Sequence, residues 1–413
     1  MNKIKRGLKN FSYLTLGTII SQGIGFIGFV YLARYLGPDH YGIFVTVGAF
    51  VSIFQLIALP GLRKVVLREC SRDTENAASV LNKTIGLQSL FIFIAIIAML
   101  VASLFTGYAV TTQLYIAIFS LKLFSESFRG FIDAIYKYSE KMQYIAVFRI
   151  IRMGLFVGFA VLFLRLGYGL FTVVMITIFT ALIDVLFRFY HSRNIVEFNV
   201  FSDLYIDKDL LKPSAIFSGI SITSQMYKRV DLLMISFLGT PAQVAVYGVA
   251  YNLAREANLL KHLIGEAFFP IAVKTLHKGS VSKRFVLKYS FLFFVGMMGL
   301  ALLAFYLAEP VITILFGEDY TASIPIFKVL IFYMVVWFST LPFVEALNAT
   351  NNEKVVLFAK SIMAGINIPL NIVLFLIYGL IGIAYSTLIV YAAGSVIINL
   401  YSYVLLSRQG YFT

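Results

Sequence analysis

Cysteine occurs once in the 413 residues, at Cys70, which excludes an internal disulfide and a cysteine-rich zinc cluster. Charge is scarce too, at 13% of residues, where a soluble domain carries about 25%. Acids are scarcer than bases, 20 against 34. Proline is limited to 9 positions and tryptophan to one. No H-E-x-x-H, P-loop or G-x-G-x-x-G helix start occurs, so metalloprotease, ATPase and dinucleotide chemistry have no motif to rest on. No catalytic residue and no metal ligand set is assigned. Low-complexity tracts are also missing.

What fills the chain is apolar: 60% of residues are hydrophobic and the mean hydropathy is +0.87. Apolar runs of about 20 residues predict about twelve membrane spans. The first runs Tyr13 to Leu36 and the second Ile43 to Leu62, turned by ARYLGPDHYG. The next four are Thr84 to Phe105, Gln113 to Ile135, Tyr144 to Leu164, and one from Leu170 to near Tyr190. Two more fall between Pro213 and Pro270. The last four are Leu287 to Phe316, Ile324 to Leu347, Val355 to Tyr378 and Ile381 to Leu406. The basic opening MNKIKRGLKN is followed by an apolar run too long for a signal peptide, so that run is expected to be the first span.

The net charge of +14 reads as a topology signal and not as a nucleic-acid footprint. Lys and Arg fall at the N-terminus and in the loops after even-numbered spans, which places both termini in the cytosol. The two halves echo each other in order. Ser21-Gln22, Leu36-Gly37 and Tyr41-Gly42 recur as Ser224-Gln225, Leu238-Gly239 and Tyr247-Gly248, and Tyr168-Gly169-Leu170 recurs as Tyr378-Gly379-Leu380. Residues 1–190 are therefore expected to form an N-lobe, 191–212 a cytosolic linker, and 213–413 a C-lobe. Six spans per half keep both halves in one orientation, as parallel repeats with a site between lobes.

The stretch from Pro213 to Pro270 holds the densest mid-span charge. Lys228, Arg229 and Asp231 sit in one segment, Arg255 and Glu256 in the next. Each such charge costs roughly 3 kcal/mol at a helix centre, whereas a large apolar residue returns about 0.3 to 0.6 kcal/mol. About a dozen strong hydrophobes offer roughly 5 kcal/mol against about 9 for the three charges of the first segment. These helices cannot lie bare in lipid, and their charges mark a functional site. Lys228, Arg229 and Arg255 are the candidates for binding an anion, with Gln22, Gln225 and Asn258 as polar companions. Asp231, Glu256, His262 and Glu266 are the candidates for coupling an ion. Tyr251, Arg255, Asn258, His262 and Glu266 recur every three or four residues and so share a helical face.

Span four carries Lys122, Glu126, Arg129 and Asp133, an alternating ladder expected to be a structural ion-pair stripe. Arg149 and Arg152, near the cytosolic end of span five, are expected to snorkel. Pro60, Pro270, Pro342 and Pro369 are expected to bend helices. The extracytoplasmic loops are all short, which leaves little room for the folded acceptor domain of a membrane polymerase or ligase.

ARYLGPDHYGIF resembles the signature turn of the Wzx-type lipid-linked oligosaccharide flippases of the multidrug/oligosaccharidyl-lipid/polysaccharide (MOP) exporter superfamily. VDLLMISFLGTPAQVAVYGVAYNL resembles the opening of their second lobe. LFGEDYTASIPIFKVL, LNATNNEK and NIPLNIVLFLIYGLIGIAYSTL are similar to later landmarks, in order. Superfamily members often have fourteen spans, where this chain supports about twelve.

The resemblance implies an all-α, MATE-like protein of the cytoplasmic (inner) membrane that works by alternating access. It implies a polyprenyl-diphosphate-linked oligosaccharide as cargo, cavity cations that bind its diphosphate, and polymerase and chain-length machinery as partners. No cofactor is expected beyond the membrane potential or a gradient of H+ or Na+. A cation-coupled drug antiporter of the same superfamily is the alternative, and an embedded polymerase or ligase comes after it.

Overall fold

A computed structural model describes residues 3–58, 61–73, 76–196, 210–212, 214–215, 218, 230–256, 283–350 and 352–408. Every regular element among them is helical, and the chain divides into two compact units, Met1–Gln225 and Met226–Thr413.

In the first unit α1 is assigned from Lys3 to Phe54, but Gly37 breaks it with φ 69 and ψ 171. A straight helix over its 46-residue apolar portion would run about 69 Å, more than twice the hydrocarbon thickness. Gly37 adopts a conformation reserved for glycine, and Pro38 next to it lacks an N–H, so the helix is two limbs. The second limb ends at Phe54, short of the expected Leu62. Leu62 instead opens a separate amphipathic helix, α2 (Leu62–Arg72), which buries Leu62, Val65, Val66 and Cys70. This spacing covers one face, so α2 packs sideways and, at 11 residues, does not cross a membrane.

Helices α3 (Ala77–Leu104), α4 (Val110–Tyr138), α5 (Met142–Arg165) and α6 (Leu170–Arg193) complete this unit. α6 runs into the stretch expected as linker, most of which lies outside the described residues. α1 and α5 pack closely because Gly17 faces Ala146 and Gly28 faces Val157, where an added methyl would collide. α4 is central, touching each of the other five helices of the unit.

In the second unit α7 is described over 230–238 and leads into α8 (Pro241–Arg255). Thr240 and Gln243 form a reciprocal capping box at the start of α8, with Pro241 in its first turn. α9 (Lys283–Tyr306) and α10 (Ala308–Phe316) are separated at Leu307, so the expected single span Leu287 to Phe316 is broken. α11 (Ser323–Ser339) and α12 (Leu341–Ala349) are likewise divided at Thr340 and bend by 40°. Pro342 sits in the first turn of α12, where its missing N–H is tolerated. α13 (Glu353–Tyr378) contains Pro369 without a break in its assignment, and α14 (Leu380–Arg408) packs along it. Pro60 and Pro270 lie outside the described residues.

Seven described helices are long and apolar enough to cross a membrane, or eight with α11–α12 as one bent span. α4 falls outside that count because of its charges, and α1 enters it once despite its two limbs. This is a multi-pass membrane protein.

Candidate functional site

In the second unit, four helices bring polar side chains to one carboxylate. α7 places Asp231 in a buried position. Three neutral donors from three other helices converge on it. Tyr247 Oη of α8 donates at 3.0 Å, Asn371 Nδ2 of α13 at 2.8 Å and Thr387 Oγ1 of α14 at 2.9 Å. Asn371 Nδ2 also lies 3.1 Å from Asn367 Oδ1 one turn earlier. Asn371 Oδ1 is buried and has no hydrogen-bond partner among the described residues. Asp231 therefore has three hydrogen bonds but no described cation within ion-pair distance. A carboxylate buried in this way is held by neutral donors, and a buried charge there calls for a counter-charge that no described side chain supplies.

The sequence singled out Asp231 because a charge in an apolar run stands out. It missed Tyr247, Asn371 and Thr387. The available signal was Asn367 and Asn371 at helical spacing inside α13, two amides on one face of its apolar stretch from Ile362 to Tyr378.

The first unit holds a second polar cluster, around α4. Glu126 accepts from Arg129 on its own helix at 3.1 Å and from Arg152 on α5 at 3.2 Å. Asp133 accepts from Arg188 of α6, whose Nε also donates to Asp184 at 2.9 Å. Lys122 lies 5.1 Å from the centre of the Phe119 ring. The ion pairs of the ladder extend beyond α4: Glu126 pairs with Arg129 on its own helix and with Arg152 of α5, and Asp133 pairs with Arg188 of α6. Arg152 turns to Glu126, and Arg149 donates to Thr18 Oγ1 on α1 at 2.6 Å. Both face inward, which corrects the expectation that they snorkel. A carboxylate or hydroxyl on a neighbouring helix meets a guanidinium more directly than a path to the interface does.

Arg63, at the start of α2, lies across the Cα of Gly130 on α4, in the space a side chain there would fill. Its electrostatic neighbours are Asp133, Arg129 and Glu126.

The expected anion and ion residues are placed unevenly. Gln22 lies on an exposed face of α1. Arg255 ends α8, and Glu256 follows it as the cap, with its backbone N–H on Asn252. Lys228, Arg229, Gln225, Asn258, His262 and Glu266 lie outside the described residues. Among the described residues no group of three His, Cys, Asp or Glu could hold a metal ion.

Residues 7–276 match a family model described as "Polysaccharide biosynthesis protein". No curated protein matches the chain. Among solved structures, the chain is similar to the lipid II flippase MurJ in an inward closed conformation, with TM-score 0.71 and 18% identity over 96% of this chain and 87% of that one. An inward-facing MATE multidrug transporter of the MOP superfamily gives TM-score 0.71 and 16% identity over 97% and 98%. A MOP superfamily transporter from Pyrococcus furiosus, described as having a binding pocket of reverse polarity, gives 0.67 and 15% over 97% and 96%. The fold is that of the MOP superfamily transporters.

Proposed function

This chain belongs to the polysaccharide biosynthesis protein family, and from that premise we propose that it is a flippase and not an enzyme. Its cargo is a polyprenyl-diphosphate-linked oligosaccharide repeat unit, moved from the cytosolic to the outer leaflet of the cytoplasmic membrane for surface polysaccharide assembly. Polymerase and chain-length machinery would act on what it delivers.

The observation that carries the reading is the sign of the charge inside the first unit. Away from their ends, α4, α5 and α6 carry Lys122, Arg129, Arg149, Arg152 and Arg188 against Glu126, Asp133 and Asp184. Five cations against three carboxylates suits a protein whose cargo brings negative charge, because uncompensated cations in a membrane interior are costly. Lys228, Arg229 and Arg255 would add to the attraction in the second unit, with Gln22, Gln225 and Asn258 as hydrogen-bonding companions. The head group would be exposed to the two sides in turn while the lipid tail stays in the bilayer.

Asp231 supplies the coupling. A proton or a sodium ion bound at its carboxylate would exchange during the cycle, with Glu256, His262 and Glu266 as further candidates. Outward movement of negative charge is favoured by about 2.3 kcal/mol per charge per 100 mV when the inside is negative. The same carboxylate is what favours the second reading, a MATE-like cation-coupled drug or metabolite antiporter.

Cells depleted of the protein separate the two. The flippase reading expects lipid-linked repeat units to accumulate facing the cytosol. Normal sidedness together with altered drug sensitivity would favour the antiporter, and units flipped but unjoined would point to a polymerase or ligase.

A further inference from the structure

We propose that one ridge of α14 forms a water-lined path for the coupling ion, running from Asp231 past Ser395 and Asn399 toward the cytosolic end of the helix. The path deepens the coupling role given to Asp231 and rests on it, so its test reads hydration separately from coupling.

Thr387, Tyr391, Ser395, Asn399 and Tyr403 follow one another at four-residue steps along α14. Residues at that spacing form a single ridge on the helix surface, inclined to its axis. From Thr387 to Asn399 the ridge covers about 18 Å. Its first member donates to the Asp231 carboxylate at 2.9 Å. Its last lies near Arg408, where α14 ends. Basic residues mark the cytosolic ends of membrane helices, so the ridge points from the buried acid toward the cytosol.

Two members hold buried polar atoms that the protein leaves unbonded. Ser395 is 1% exposed, and its hydroxyl has no hydrogen-bond partner among the described residues. Asn399 Oδ1 is buried in the same condition. A serine or threonine inside a membrane helix commonly returns its hydroxyl to the carbonyl one turn back. On α14 itself Thr387 does so onto Ile383, and Ser402 onto Ile398. Ser395 does not. Close packing alone is the weaker account. Gly394 beside it packs against Met363 of α13, but a serine serving only as a small residue can bond back as Ser402 does, and Asn399 is not small.

Buried polar atoms bond to protein or to ordered water. Side chains four residues apart on a helix stand roughly 5 to 6 Å from each other, a gap that one bridging water spans. Ser395 and Asn399 therefore suit a file of waters in line with the acid. The Tyr391 ring is held against Tyr333 and Trp337 of α11, which fixes the step between Thr387 and Ser395. An ion leaving Asp231 meets a high cost in apolar surroundings. Water on this ridge lowers that cost, and neutral side chains let the ion pass where a carboxylate would hold it.

The test uses silver ion, a cation about as wide as a water molecule, on single cysteines in the full-length Cys70→Ala chain. Silver bonds the sulfur, the thiol proton leaves, and the site is lost to maleimide applied after unfolding. In membrane vesicles with the cytosolic face outward, silver should abolish later labelling of Ser395→Cys and Asn399→Cys. Two positions off the ridge serve as controls: Ile398, which is buried, and Val396, which is 54% exposed and reports silver arriving through lipid. Ile398→Cys and Val396→Cys should label in full. Later labelling of Ser395→Cys or Asn399→Cys as complete as that of Ile398→Cys overturns the proposal. Equal loss at all four positions overturns it too, because access is then not confined to the ridge. If Ser395→Cys does not fold, Asn399→Cys decides by the same criterion.

Asn399→Leu separates a wet ridge from a dry one. A dry, unbonded oxygen is a cost that the substitution removes, so a higher melting temperature would overturn the proposal. With water on the ridge, Asn399→Leu should not raise the melting temperature and should slow gradient-driven transport severalfold. An unchanged response to the gradient would remove the ridge as the ion's route. Failure of the coupling role reads differently: silver reacts as expected, yet the unsubstituted chain ignores imposed gradients of H+ and of Na+. The hydrated ridge then stands and the ion role of Asp231 falls.

Discussion

Tyr247 Oη donates a hydrogen bond of 3.0 Å to the Asp231 carboxylate, joining α8 to α7 at a point where α13 and α14 add donors of their own. Four helices of the second unit therefore meet at one acid. Replacing Asp231 by Asn keeps a side-chain oxygen for Tyr247 and Thr387 but removes the charge. Asp231→Asn is expected to fold, with a melting temperature close to wild type, and to lose the dependence of transport on a proton or sodium gradient. Transport that still follows the gradient in this variant would remove Asp231 from the coupling role.

Arg188 is the most demanding charge in the first unit. Its side chain is 2% exposed and bridges Asp133 and Asp184. Arg188→Met leaves two carboxylates in that pocket without their cation. Removing one partner of a buried pair costs about 3 to 5 kcal/mol. The expected result is a large fall in melting temperature and poor recovery of monodisperse protein, measured by thermal unfolding in detergent. Restoring charge balance with Asp133→Asn and Asp184→Asn in the same chain should recover part of the loss.

Gly37 has φ 69 and ψ 171 at the break between the two limbs of α1. A side chain held in that region costs about 1 to 3 kcal/mol. Gly37→Ala should therefore lower the melting temperature, whereas Gly48→Ala, where an added methyl meets nothing, should not. Equal stability of the two variants would contradict the described turn.

Cys70 lies on α2, outside the membrane-spanning helices, and is buried. Burial, with Glu69 beside it, pushes its thiol up to about 11. The sign is toward the protonated, unreactive form, so only about one thiolate in several thousand exists at pH 7.5. Maleimide labelling of the native protein is expected to be slow, to quicken as pH rises toward that value, and to become complete on unfolding. Rapid labelling of native protein at neutral pH would show the α2 packing to be wrong.

A cysteine-free background (Cys70→Ala) also tests topology. Val110→Cys and Tyr168→Cys replace exposed residues at one set of loop ends, and Lys137→Cys replaces one at the other. With both termini in the cytosol, an impermeant maleimide added to intact cells should label the first two positions, and Lys137→Cys only after permeabilisation.

Hydropathy made α3, α5, α6, α13 and α14 legible, since each is one apolar run bounded by turn or polar residues. The break at Thr340 was not, because it continues an apolar pattern whose direction changes only in three dimensions, and neither was α2, because LRKVVLRECSR is too charged to stand out as an apolar run. Glu126 with Arg129 could be read from helical spacing alone. Arg152 with Glu126, and Arg188 with Asp133, could not, since a sequence does not say which faces of two helices meet. Asp231 was conspicuous as a charge in an apolar stretch. Asn371 and Thr387 were not, because neutral polar side chains in membrane helices usually bond to their own backbone and carry no signal of a shared acceptor.

The most direct measurement of the central claim uses the purified protein in vesicles that carry a polyprenyl-diphosphate-linked oligosaccharide in one leaflet. A membrane-impermeant glycosidase then reports how fast the sugar reaches the other leaflet. Protein-dependent translocation that falls in Arg255→Ala and in Arg149→Gln is the expected result. A rate equal to that of protein-free vesicles, with the protein folded and a gradient of the coupling ion imposed, would contradict it.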